Sequence, residues 1–356
     1  MGQMTPERTW IEVRLSALVA NARMVAARNA GARLLPMVKA DAYGLGAVPV
    51  ARALEALDPW GYGVATAAEG AELRQAGIGR PILVFAPTLE ALETVAAQRL
   101  TPALGSCAQV ERWLHLAPDR PFHVEVDTGM ARAGFAWSAL GAAAAAFADQ
   151  PAFEGIFTHF HSADESLDSV RVQRERFAQA LAALPRRPAV VHAANSAGAL
   201  RAPATGEDLV RPGIFLYGGA VPGYQPEPVV SWRARVIETR WREGGWTVSY
   251  GATFTTSGWT CLATLAVGYA DGVRRSLSGH GVALLEGRRV PIAGRVTMDM
   301  TVLDAGTREP APGAVATLLG TDGEACLTLD EVAASAGTIS YEILTGLSHR
   351  VTRVYR

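Results

Sequence analysis

Between residues 34 and 216, short apolar runs alternate with Ala-rich stretches of helix-forming composition, and few folds accommodate that alternation. The runs fall at 34–38, 61–65, 81–85, 100–104, 122–126, 154–159, 189–192 and 209–215. Between them, 67–76, 89–98, 139–148 and 169–184 combine helix formers with polar faces. Eight strands alternating with helices predict a (β/α)8, TIM-like barrel. Residues 220–228, dense in Pro and Gly, read as a linker. Beyond them the period changes to two, at 232–240, 260–267, 281–285 and 314–319, with Gly-rich turns between. One helix is expected there, at 329–336 behind a Thr328 cap. The expected division is an α/β barrel over 1–228 and a mainly β domain over 229–356. Residues 1–13, of which 8–13 alternate, are a candidate outlying strand of the second domain. The low-complexity run 141–146 is plain helix former.

Nearly half the residues, 49%, are hydrophobic, enough for a sizeable core. The formal charge is −1, and no basic stretch carries interleaved aromatics, which argues against a nucleic-acid partner. Cys107, Cys261 and Cys326 are odd in number and widely spaced, with no C-x-x-C, which fits a reducing compartment without structural zinc. The first eight residues contain no apolar h-region, so no secretory signal is expected, and Pro6 stands where myristoylation at Gly2 wants Ser or Thr. No apolar run approaches the ~20 residues of a membrane span. A soluble, cytoplasmic protein is expected.

A single lysine, Lys39, stands against 32 arginines. Arginine stays protonated and cannot supply a neutral amine to attack a carbonyl, whereas a lysine can once burial or a neighbouring cation lowers its pKa. In such a barrel the active site lies at the C-terminal strand ends, with phosphate commonly held after strands seven and eight. Applied here, that rule selects Lys39 after strand one, Asp127 to Arg132 after strand five, and His159 and His161 at the end of strand six. After strand seven it selects His192, Asn195 and Ser196, and on strand eight Arg211, Gly213 and Ile214. Asn and Ser side chains beside an accessible Gly amide suit phosphate oxygens. A lysine opposite a phosphate cradle suggests a phosphorylated carbonyl cofactor held as a Schiff base, for which pyridoxal 5′-phosphate is the obvious candidate. Each residue also has a plainer reading. His192 could be a core histidine, Asn195-Ser196 could cap a helix, and His159 with His161 could be a metal pair, although no second carboxylate and histidine cluster accompanies them.

The motifs resemble those of the bacterial alanine racemases. Met37-Val38-Lys39-Ala40-Asp41-Ala42-Tyr43-Gly44-Leu45-Gly46 is similar to the family's cofactor-lysine signature. Matches continue in the family's order at 126–132, 158–160, 192–196, 211–214, 248–251, 267–272 and 294–299, across both halves of the chain. The resemblance implies a pyridoxal-phosphate barrel plus a β domain, acting as a head-to-tail homodimer on L- and D-alanine and supplying D-alanine for peptidoglycan. It makes Lys39 the residue bonded to the cofactor and one of two bases, with Tyr250, from the partner subunit's β domain, as the other. Two bases are needed because a proton removed from one face must return on the opposite one. A phenol of ordinary pKa, ~10, is a poor base at pH 7, and the resemblance places Arg132 beside it and the substrate carboxylate. Arg211 would face the pyridine nitrogen, with His159 orienting it. Tyr43, Asn195, Ser196, Gly213 and Ile214 would hold the phosphate. The Met298 amide would bind the substrate carboxylate, and Tyr269 would narrow the entrance.

Two positions depart from the family pattern. Many members carry a lysine, modified to a carbamate, where this chain has Glu125, so Glu125 is expected to orient Arg132 without modification. His349 stands where some relatives have a tyrosine that reaches the phosphate. Competing readings are a non-catalytic pyridoxal-phosphate carrier, which would lack the domain bearing Tyr250, and a racemase of broader specificity. A fold-related decarboxylase would need a carboxylate in place of Arg211, and a metal hydrolase would need further ligands.

Overall fold

A computed structural model describes residues 7–356; the N-terminal segment read above for targeting signals lies almost wholly outside them. The chain divides into two compact units, one of Val19–Leu216 with Ala220–Pro226, the other of the N-terminal stretch to Leu18, Tyr217–Gly219 and Glu227–Arg356.

The first unit is the expected barrel. Its strands are Arg33–Leu34, Tyr62–Val64, Ile82–Val84, Thr101–Leu104, Phe122–Asp127, Phe153–Phe157, Val190–Asn195 and Leu209–Arg211. Each pairs in parallel with its sequential neighbour, and the last returns to the first through Leu209 opposite Arg33. A parallel bridge between Met37 and Gly63 closes the ring. Leu35, Leu83, Ala103, Phe157, Val190 and Leu209 form a core cluster, with Trp60 and Phe85 packed on it. Such strands are covered on both faces, which is why they read as continuous apolar runs without alternation.

Several elements differ from expectation: the first strand is confined to Arg33–Leu34, a second helix, Ser340–Thr345, joins the one expected in the β-rich unit, and three barrel elements change as follows. The eighth strand stops at Arg211 because Pro212 has no N–H to continue the ladder, and residues 214–217 form a 3-10 turn. The sixth stops at Phe157, two residues early, because Phe160 turns inward over Gly198, whose absent side chain leaves room for the ring. The expected helix at 139–148 breaks into Leu140–Ala143 and a 3-10 turn at Ala144–Ala146. Alanine favours a helix, but a short isolated one is marginal, and fully buried Phe147 takes a non-helical conformation to reach the core.

The second unit is built on the strand Val230–Arg242, buried at alternate residues through Ala234. It pairs antiparallel with Thr9–Val13 and Val315–Asp322 along its first half, and with Thr260–Leu265 beyond a register shift between Val236 and Glu238. Val282–Leu285, Arg288–Pro291, Thr301–Asp304, Ala325–Leu327 and Thr352–Tyr355 complete the sheet. The helix Leu329–Ser335 starts as predicted, with the Thr328 hydroxyl accepting the Glu331 N–H. Among the described residues no helix is long and apolar enough to cross a membrane.

Candidate active site

Lys39 stands where the first barrel strand ends, and the chain there does something the sequence alone does not announce. Ala40, Asp41, Ala42 and Tyr43 have φ of 52, 52, 51 and 58°, one turn wound left-handed. That conformation costs L-residues roughly 1–2 kcal/mol each, so it persists only where neighbours impose it. Glu69 is the main restraint. One carboxylate oxygen accepts the Ala40 N–H at 2.7 Å; the other accepts those of Ala65 at 2.7 Å and Thr66 at 3.1 Å. The Ala42 N–H donates to Val38 O at 2.8 Å, and Asp41 Oδ1 accepts the Ala47 N–H at 2.7 Å. Glu69 escaped sequence reasoning. Its only signal was the Thr66-x-x-Glu69 capping box, which accounts for the helix start at Ala67 but not for the reach across to Ala40.

The Lys39 side chain reaches solvent, yet protein crowds it from several sides. Burial lowers its pKa first, and the charges of Arg132 and Arg211 lower it further against an opposing effect of Glu69. Each of these except Glu69 favours the neutral amine.

Arg211 is 2% exposed, and both of its Nη atoms have acceptors. Its Nη2 donates to the carbonyls of Thr158 at 2.8 Å and Ala193 at 2.9 Å, and to His159 Nδ1 at 3.3 Å; Nη1 donates to His192 Nδ1 at 2.8 Å. Burial brings it down to about 10, with Glu125 opposing and Arg132 reinforcing, so it remains a cation at neutral pH. His159 is driven down to about 3 by burial and by Arg211, Arg132 and Lys39. A neutral His159 can accept from Arg211, as the bond requires. His161 uses its Nδ1 on the Ser162 hydroxyl at 2.7 Å, and no cluster of metal-ligating side chains occurs among the described residues.

On the opposite side of the mouth, Ser196 Oγ accepts the Gly213 N–H at 2.8 Å. A Cβ on Gly213 would lie 2.3 Å from Tyr43 Oη, so the absent side chain is what lets the phenol lie against the strand end. Ile214 opens a 3-10 turn, where the first N–H has no acceptor within the turn. Asn195 behaves as the plainer reading supposed. Its Oδ1 accepts the Gly198 N–H at 3.0 Å as a helix cap, and its Nδ2 donates to Phe160 O at 3.1 Å. Tyr43, Ser196, Gly213 and Ile214 thus come together, while the Asn195 side chain is engaged elsewhere.

After strand five, Asp127 Oδ1 accepts the N–H groups of Gly129 at 2.8 Å and Ala131 at 3.1 Å, folding the loop that presents Arg132. Gln173, buried in the helix Leu167–Ala182, donates to Thr128 Oγ1 and His159 O and accepts the His161 N–H, tying that loop to the sixth. Glu125 is 7% exposed, and among the described residues it forms no ion pair within 4.0 Å with Arg132. Its charge acts through space. Burial raises its pKa, against the attraction of Arg132 and Arg211.

In the β-rich unit, Tyr250, Tyr269 and Met298 are all solvent-exposed, at 72%, 42% and 53%. Residues 294–299 back all three. Ser249 Oγ donates to Arg295 O at 2.6 Å, the Tyr269 N–H to Thr297 O at 2.9 Å, and the Ala270 N–H to Met298 O at 3.0 Å. A Cβ on Gly268 would lie 2.3 Å from Thr297 O, so only glycine permits that approach. Arg350 locks the arrangement, its Nε on Asp271 and its Nη2 on Asp299, both at 2.7 Å. His349 is exposed in the turn before the last strand.

The barrel mouth therefore offers one nucleophilic amine, a buried fixed cation across from it, and hydroxyl and amide donors without a carboxylate among them. That donor set fits a phosphorylated aldehyde cofactor. Residues 13–221 match the family model for the alanine racemase N-terminal domain, and 229–355 the model for the C-terminal domain. An alanine racemase of Carboxydothermus hydrogenoformans is 41% identical over 364 residues, covering 97% of this chain and 99% of that protein. The crystal structure of alanine racemase from Streptomyces lavendulae superposes with a TM-score of 0.91 at 34% identity, covering 99% and 98% of the two chains. That of Bartonella henselae, with covalently bound pyridoxal phosphate, gives 0.91 at 32%, covering 99% and 100%.

Proposed function

The chain belongs to the alanine racemase family and is a pyridoxal-phosphate-dependent isomerase of alanine, and we propose that Lys39 and Tyr250 are the two bases of its reaction. Both family domains are matched, over residues 13–221 and 229–355, which disfavours a non-catalytic carrier. Pyridoxal 5′-phosphate, when bound, supplies an electron sink that acidifies the substrate Cα.

Lys39 Nζ would hold the cofactor and, when free of it, would move a proton at the substrate Cα on one face. The depression of its pKa by burial and by Arg132 supports this role, since a base must be free of its proton near the working pH. Tyr250 Oη moves the proton on the other face. Its high exposure in the single chain supports delivery into the barrel mouth of a second copy, hence a homodimer. Arg132 binds the substrate carboxylate. The Met298 N–H, which has no acceptor among the described residues, holds a second carboxylate oxygen, and Tyr269 narrows the entrance. Tyr43, Ser196, Gly213 and Ile214 hold the phosphate, and Asn195 holds Ser196 in place as a cap.

The observation that carries this reading is Arg211 at the mouth where other chemistries would place a carboxylate. A guanidinium donates a hydrogen bond to the ring nitrogen but hardly a proton. A group held against Arg211 would supply a milder electron sink than one facing a carboxylate, which would favour return of the proton to Cα. We place the enzyme in the cytoplasm, where three free cysteines are stable, making D-alanine for peptidoglycan.

Two measurements test the proposal. Wild-type protein loaded with cofactor should convert L-alanine to D-alanine, and Tyr250→Phe should lose most of that rate; no conversion by wild type refutes the function. Borohydride reduction of the loaded protein should fix the cofactor on Lys39, the one side-chain amine available. A label on any other residue refutes the assignment.

A further inference from the structure

The contacts of Arg211 do not end at His192. His192 Nε2 lies 2.9 Å from His123 Nδ1, and His123 Nε2 lies 3.2 Å from Glu154 Oε2. Both histidines are fully buried, while the Glu154 side chain is 33% exposed. The strand positions give the chain a direction in space. Arg211 ends strand eight, His192 is midway along strand seven, His123 is the second residue of strand five, and Glu154 is the second residue of strand six. The four groups run from the C-terminal mouth to the N-terminal mouth of the barrel, through its interior.

Proton placement is then forced. A guanidinium only donates, so His192 Nδ1 must be bare. Burial and the nearby Arg211 hold His192 neutral, so its one proton sits on Nε2 and points at His123. His123 Nδ1 must accept that proton, leaving the His123 Nε2–H to donate to the carboxylate. Every bond points from Arg211 toward Glu154, and aligned bonds in an apolar setting polarise one another. The setting is apolar: the His192 ring stacks on Phe157 at 4.8 Å and 11°, and His123 meets Trp60 at 5.4 Å. The channel is also shaped for the ring. A Cβ on Gly155 would lie 2.5 Å from His123 Cε1, so residue 155 must be glycine for the imidazole to occupy this line.

We propose that Glu154 and His123 are positioning residues that fix the tautomer of His192 and, through it, the plane in which Arg211 presents its donors. In the opposite tautomer a His192 Nδ1–H would face an Arg211 N–H, and the guanidinium would turn away. Arg211 favours the bare Nδ1 from one end, and the carboxylate, by accepting the His123 Nε2–H, favours the same tautomer from the other. This rests on Arg211 facing the ring nitrogen, and the experiment separates the two claims.

The measurement is ¹⁵N NMR of histidine-labelled holoenzyme, in which bare and protonated imidazole nitrogens resonate far apart, together with steady-state kinetics. Wild type should show a bare Nδ1 and a protonated Nε2 on both His123 and His192. Glu154→Gln keeps an acceptor without its charge and should retain that pattern, with kcat lowered about 3-fold. Glu154→Leu removes the acceptor and should put both histidines into mixed tautomers, with kcat lowered about 10-fold or more and KM little changed, the scale seen when an orienting partner of a functional group is removed. Glu154→Leu leaves the buried His123 Nε2–H without this acceptor, so thermal unfolding is measured beside the kinetics, and Glu154→Gln, which keeps an acceptor, carries the test should the leucine variant lose its fold. A protonated His192 Nδ1 in wild type overturns the proposal. So does a Glu154→Leu variant that disturbs the histidines and leaves kcat intact. Failure of the Arg211 reading looks different: Arg211→Lys would keep the wild-type rate.

Discussion

Gly213→Ala isolates the packing on which the proposed phosphate site depends. Gly213 does not have a left-handed φ, so alanine brings no backbone strain and the effect is steric. The new Cβ would lie 2.3 Å from Tyr43 Oη and 3.1 Å from Tyr43 Cζ, with Met37 Cβ at 3.6 Å. To regain ordinary contact the phenol must retreat by about 1 Å. Retreat is resisted, because Tyr43 is 6% exposed and its backbone belongs to the left-handed turn that Glu69 and Asp41 hold. Overpacking of this kind costs about 1–3 kcal/mol, and a site built on that phenol should lose about 5- to 150-fold in cofactor affinity if it bears the whole cost. Spectroscopic titration of pyridoxal phosphate into cofactor-free protein measures the affinity, and thermal unfolding measures any cost to the fold. Repeating both in a Tyr43→Phe background closes a double-mutant cycle. With the hydroxyl gone the nearest obstruction is removed, and the alanine should cost much less. Equal costs in the two backgrounds, or a Gly213→Ala protein that binds cofactor as wild type does, would refute the argument.

Glu125→Gln should lower activity by removing the buried negative charge near Arg132 and Arg211, and it should also stabilise the protein at neutral pH. Burial raises the folded carboxyl pKa above its unfolded value, so ionisation penalises the native state. The stability gap between variant and wild type should be absent below the ordinary carboxylate pKa and grow as pH rises through it toward the folded value; a constant gap, or full activity, would contradict this. The depressed pKa of His159, about 3, has the opposite sense. Between about 6.5 and 3 the unfolded chain binds the proton and the native state does not, so stability should fall as pH falls through that window. His159→Asn, followed by thermal unfolding across pH, should flatten that slope. Arg350→Met should free the loops bearing Tyr269 and Met298 and leave the buried Asp271 with the Gly268 N–H alone. Because Arg350 is half exposed, the loss should be about 1–2 kcal/mol, less than for a fully buried pair, with KM for alanine raised more than kcat falls.

Much of the fold and of the candidate site was legible in the sequence because it rests on local signals. Apolar runs without alternation marked strands covered on both faces, and period-two alternation after residue 229 marked a sheet with one open face. The rule that barrel chemistry gathers at C-terminal strand ends drew Lys39, Arg132, His159, Ser196, Arg211 and Gly213 out of a long chain. Their motifs then matched one family in order. The lone lysine needed no structure to be noticed, since its chemistry is unavailable to the arginines around it.

Only the tertiary structure could decide which partner each side chain takes. Asn195 reads equally as cap or ligand, and the cap is made because the Gly198 N–H lies beside it. Glu125 reads as a direct mate for Arg132, yet in the folded chain it acts at a distance. Glu69 reads as a helix cap, and it also clamps a left-handed turn 29 residues away. His123 and Glu154 carry no motif at all and matter only because parallel strands bring them into line beneath Arg211. Burial patterns and spacings are properties of segments, and a sequence displays them. The direction of a hydrogen bond between strands far apart in the chain depends on register and closure of the barrel, and these exist only once the chain has folded.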